Sequence, residues 1–119
     1  MHGAVMIKWG ASIPGREAAS LDVFGNAIKR FENLTKEGRI HGHHEYISIT
    51  GRDGGFTLLE GELEELTKIL AEEDTMRLNA QASAVVADFE VQTFAGGTDQ
   101  SVQQLMGTFT SSLHDIGYM

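Results

Sequence analysis

The sequence contains no cysteine and a single proline, Pro14. Without thiols the chain can form neither a disulfide nor a thiolate metal site. No apolar run approaches the roughly 20 residues that cross a bilayer. The segment Met1–Trp9 also lacks the basic stretch and long apolar run of a secretory leader. Basic residues are scarce: nine Lys and Arg against 17 Asp and Glu leave a formal charge of -8. Such a surface repels a phosphate backbone, so neither nucleic acid nor a membrane is an expected partner. Glycine-rich dinucleotide fingerprints and nucleophile elbows are missing too, and no cofactor is expected. These absences fit a cytoplasmic protein. What remains is an ordinary globular composition, 41% hydrophobic over 119 residues, enough for one domain with its own core.

Periodicity along the chain supplies the elements. Ala4–Trp9 alternates as a strand, and Gly10–Gly15 is loop chemistry. Over Arg16–Lys36, Leu21, Phe24, Ile28, Phe31 and Leu34 recur at three- and four-residue steps, which predicts a helix with Gly38 as its C-cap. Gly25 inside it costs about 1 kcal/mol relative to alanine, a cost that close packing would explain. Ile40–Thr50 and Phe56–Gly61 read as strands joined by a turn at Gly51–Gly55. Glu62–Glu73 carries a second helical stripe. From Asp74 to Ala84 the pattern blurs, and a further helical piece is expected there. Val85–Ala95 holds the fourth strand, and Gly96-Gly97 breaks the chain. Thr98 or Asp99 then caps a last helix with Val102, Leu105, Met106, Phe109 and Leu113 on one side.

The order is βαββαβ plus one helix, that of an α+β ferredoxin-like fold with an antiparallel sheet. Residues 1–97 form the ferredoxin-like part, and 98–119 a helical extension of the same domain. That extension is expected to close over its own sheet or to reach across a partner. With both helices on one face, the strands should split into an apolar face and a mixed one. Val5, Ile7, Ile47, Ile49, Leu59, Phe89 and Val91 suit the helix side. The opposite parity gives Met6, Lys8, His44, Tyr46, Ser48, Phe56, Leu58, Glu60, Glu90, Gln92 and Phe94. Such a floor, left open to water, exposes several large apolar groups, and pairing two sheets back to back would enclose it.

Gly38-Arg39-Ile40 leads into the second strand, Gly51–Gly55 makes the hairpin, and an Asp74 segment precedes a strand ending near Phe94. With this order and length, the chain resembles the dimeric α+β barrel superfamily, and within it the YCII-related proteins. The resemblance implies a homodimer whose joined sheets enclose a pocket. Trp9 and Asn26 do not reproduce the asparagine–tryptophan–histidine order of the haem-degrading members, which argues against haem.

Two clusters can carry chemistry. His44 and Tyr46 point toward the expected pocket: His44 can move a proton near neutral pH, and Tyr46 can orient a carbonyl or phenol. Glu60 can hold the imidazole, and Lys8 can bind a carboxylate or stabilise an enolate. His41 and His43 share the other parity, roughly 6.5–7 Å apart along a strand, a spacing at which two imidazoles can share a metal ion. Arg52 belongs to the turn. The expectation is a small homodimer binding an aromatic or carbonyl-bearing metabolite on the sheet face. Its candidate reaction is cofactor-independent proton transfer or oxygenation. The alternative is a non-enzymatic assembly or regulatory module that uses the same face as a dimer interface. The residues alone do not decide whether the chain is an enzyme.

Overall fold

Apolar residues at every second position suit His2–Trp9 (β1) to its place as one of the two central strands of the sheet, with Val5 fully buried and Met6 half-buried on the other side. The computed structural model describes residues 1–50 and 54–119, so Gly51, Arg52 and Asp53 of the expected turn lie outside the described residues. The remaining elements are α1 (Glu17–Lys36), β2 (Gly42–Ile47), β3 (Gly55–Glu62), α2 (Leu63–Leu70), α3 (Glu73–Val85), β4 (Glu90–Ala95) and α4 (Asp99–Asp115). The strands run β2-β3-β1-β4, each antiparallel to its neighbours, which is the ferredoxin-like arrangement.

Register sorts the sheet into rows. Val5, Leu59 and His43 share one row on the helix side, followed by Ile7, Thr57 and Glu45. The core lies over the first of these rows, where Val5 and Leu59 meet Phe31 and Leu34 of α1, Ile40, and Leu66 and Ile69 of α2. At the other end, around Trp9, the N-terminal half of α1 and the length of α3 stand over the sheet without closing on it.

Gly38 sits at φ +73° just past α1, where its N–H donates to the Thr35 carbonyl and that of Arg39 to Leu34. This double closure of a helix end needs a left-handed residue, which glycine supplies without strain. It also aims Arg39 at α2 and α3.

Three expectations need correction. The second strand ends at Ile47, not Thr50, because the ladder with β3 ends at the Ile47–Gly55 pair. Ile49, beyond the ladder, is 93% exposed, whereas Ile47 keeps the helix-side parity and lines the cavity there. Gly25 is not packed closely, since a Cβ there would meet nothing within 4 Å. Of the two courses expected for the last helix, closing over its own sheet is the one it does not take. Thr98 caps it by accepting the Ser101 N–H, and Ser101 Oγ accepts the His2 N–H, but Val102, Met106 and Phe109 farther along are exposed. No helix is long and apolar enough to cross a membrane among the described residues.

Candidate functional site

The mixed parity of the second sheet face is realised by the register. Lys8, Phe56 and Tyr46 form one cross-strand row, Met6, Leu58 and His44 the next, and Ala4, Glu60 and Gly42 the third. Lys8, His44, Tyr46 and Glu60 therefore share one face. Tyr46 stacks on Phe56 with ring centroids 5.0 Å apart. His44 and Glu60 lie diagonally on adjacent strands, and Lys8 is two strands from Tyr46. No hydrogen bond links these four among the described residues. In a single chain they stand on an open floor, with Lys8, His44 and Tyr46 exposed.

His41 and His43 have different neighbours. His41 precedes β2 and stacks on His2 at 5.7 Å. His43 packs against Phe31 at 6.0 Å, and its Nδ1 lies 2.7–2.8 Å from both Glu45 carboxylate oxygens. Among the described residues, no group of three or more His, Asp or Glu side chains comes together as a metal site.

A cavity lies on the opposite, helix-facing side. It has a volume of about 540 Å³ between the Trp9 end of the sheet, α1 and α3. Trp9, Phe24, Phe31 and Phe89 supply aromatic walls, and Trp9 and Phe24 meet at 5.4 Å. Lys8, His44, Tyr46 and Glu60 do not line it. Its size and apolar lining suit a small ring system, which such pockets bind by shape while a few polar groups fix orientation.

Besides the exposed Glu17 at the start of α1, the polar groups come from two places. Ser12 and Ser20 share a 2.6 Å hydrogen bond at one wall. Arg30, Thr75 and Asn79 form the other. Thr75 and Asn79 are one helical turn apart, so they share a face of α3. This inward polar pair is what blurs the sequence pattern between Asp74 and Ala84: Leu78, Ala82 and Val85 keep the apolar stripe, and Thr75 and Asn79 interrupt it. Two polar residues four apart inside an otherwise inward-facing stripe are the signal by which they could have been found. Trp9 is a pocket wall, as its place at the end of β1 allows.

No protein-family model and no curated protein sequence matches this chain. Solved structures do. SnoaB, a cofactor-independent oxygenase from Streptomyces nogalater, superposes with a TM-score of 0.58 at 13% identity, covering 82% of this chain and 94% of that one. A candidate antibiotic biosynthesis monooxygenase from Deinococcus radiodurans gives 0.61 at 10% identity, over 82% and 94%. A dimeric ferredoxin-like protein of unknown function from Thermobifida fusca gives 0.60 at 10% identity, over 80% and 92%. At such identities the likeness establishes a fold and not a reaction: this is a ferredoxin-like α+β chain.

Proposed function

We propose that two copies of this chain pair through their open sheet faces, and that each binds an aromatic, carbonyl-bearing metabolite in the cavity beneath α1 and α3. The reaction proposed there is proton transfer or oxygenation without a cofactor. The observation that carries this reading is the cavity itself, a half-open space with four aromatic walls and few charges. Similarity of fold to a cofactor-independent oxygenase supports the reaction class. The dimer is supported by the half-buried and exposed apolar floor of Met6, Phe56, Leu58 and Phe94, and by dimeric proteins among the structures of similar fold. A cytoplasmic setting fits a chain without cysteine. The finer likeness to YCII-related proteins rests on Gly38-Arg39-Ile40, on the Gly51–Gly55 turn and on the Asp74 segment before a strand ending near Phe94; of these, Gly38 and Arg39 also close α1 and tie it to α2 and α3.

Trp9 is the only tryptophan in the sequence, so its fluorescence reports on the cavity directly. Titration with 2-naphthol should quench it saturably, and Ala82→Phe, which fills the space, should abolish the effect. Linear, unsaturable quenching that is the same in both proteins would sink the binding reading. Native mass spectrometry should give twice the 13.0 kDa chain mass.

A second reading is favoured by one observation: Lys8, His44, Tyr46 and Glu60 stand on the open face away from the cavity. There they would serve the interface, and the chain would be an assembly or regulatory module. Tyr46→Asp separates the two readings, since in this case it removes function together with the dimer.

A further inference from the structure

Resting on the cavity reading above, we infer that Thr75 and Asn79 form a donor pair that binds the carbonyl oxygen of an aromatic ketone. Arg30 acts behind them as a positioning residue. The observation is a hydroxyl held from its acceptor side. Thr75 lies in the first turn of α3, where no carbonyl of its own helix stands one turn earlier to take its proton. Instead its Oγ1 accepts twice, from Arg30 Nε at 3.1 Å and Nη2 at 2.9 Å. A hydroxyl has one proton to give and two lone pairs. With its acceptor side taken by a guanidinium, Thr75 is left with a proton to donate, and the cation makes that proton more acidic.

Thr75 is 4% exposed and lines the cavity, and Asn79 lines it one turn farther along. The Asn79 side chain makes no hydrogen bond among the described residues, so its amide N–H groups are free to turn toward a ligand. Two donors beside Arg30 on one wall suit a ligand with an acceptor oxygen such as that of a carbonyl. The same pair would hold the more basic oxygen that develops when a proton leaves the carbon beside that carbonyl, in the manner of an oxyanion site. Arg30 is itself fixed by Glu72 at 3.1 Å, so the Thr75 hydroxyl is oriented before any ligand arrives.

The test compares 2-acetonaphthone with 2-isopropylnaphthalene, its hydrocarbon counterpart, by Trp9 quenching. The ketone should bind about tenfold more tightly, the discrimination expected when paired donors would otherwise be left empty. The carbonyl stretch of carbon-13 labelled ketone should move to lower frequency on binding. Asn79→Leu and Thr75→Val should each reduce the ketone's preference over the hydrocarbon and the shift of its carbonyl stretch. Equal binding of the two probes overturns the inference and leaves the cavity reading standing. So does a carbonyl frequency equal to that in hexane, or a shift that survives both substitutions. Failure of both probes to bind overturns the cavity reading and this inference with it. Should Thr75→Val fail to fold, Asn79→Leu and the wild-type spectrum still decide.

Discussion

Arg39 grips both oxygens of Glu72: Nη1 and Nη2 donate to Oε1 and Oε2 at 2.9 Å each, while Nε donates to Glu65 at 2.7 Å. One guanidinium thereby joins the end of α1 to α2 and to the start of α3. Arg30 shares the same Glu72, so the network that clamps the helices also fixes the wall of the cavity.

Acidification should loosen this clamp. The hydrogen bonds from Arg39 hold the Glu72 carboxyl below its ordinary value of 4.5, against the opposing effect of desolvation. In the unfolded chain the group titrates at that ordinary value. The pair's stabilisation is therefore complete above about 4.5 and disappears as pH falls through the lower folded value. Melting temperature measured from pH 7 downward should drop less steeply for Glu72→Gln than for the parent in that acid window. Parallel curves would show that the pair contributes no pH dependence.

Arg39→Lys tests geometry against charge. An ammonium keeps the charge but cannot present three N–H groups in one plane, so bidentate contact with Glu72 and the bond to Glu65 cannot both persist. Its melting temperature should fall below that of the parent at pH 7. Equal melting would mean that charge alone secures the helices.

Much of the fold was legible because alternation and helical spacing are local. The faces of β1, β2 and β3 follow from parity alone, which is why Lys8, His44, Tyr46 and Glu60 do share a side. That a cavity lies on the helix side was not legible. It depends on α1 and α3 standing off the sheet around Trp9 and Phe24, a matter of how distant elements settle. The Arg39–Glu72 bond spans 33 positions, and Arg30–Thr75 spans 45, with no local pattern to announce either. The split between α2 and α3 lacks a glycine or proline to mark it. His41 and His43 meet different rings, His2 and Phe31, which the spacing of two along a strand did not announce.

Packing should be least forgiving under α2. Leu66 is fully buried among Val5, Leu59 and Ile69. Leu66→Ala should cost about 2–5 kcal/mol, the transfer term plus a residual void, read from urea unfolding midpoints at unchanged slope. A loss below 1 kcal/mol would mean that α2 collapses onto the space.

Two glycines should respond in opposite directions to the same substitution. Gly25→Ala places a methyl in open space within α1 and should stabilise by about 0.5–1 kcal/mol. Gly55→Ala would set its Cβ against the Tyr46 carbonyl oxygen and the Ile47 Cα, both backbone atoms of β2. The ladder must open there, so this variant should unfold at lower denaturant than the parent. If Gly55→Ala were neutral, the close approach of β2 and β3 at their shared end would be wrong.

The C-terminal helix depends on very few bonds, and Thr98 and Ser101 make two of them. Thr98 accepts the Ser101 N–H at 3.1 Å, and Ser101 Oγ accepts the His2 N–H at the same distance. Removing the cap by Thr98→Ala should cost α4 about 1 kcal/mol. The loss stays local, because Phe109 and Met106 give α4 no buried face through which to pull on the core. Hydrogen exchange should therefore speed up for amides of Val102–Leu105 and remain unchanged for Val5 and Leu59. Faster exchange in β1 and β3 as well would show that the helix and sheet unfold as one unit, which is what a helix held by a partner copy across the sheets would produce.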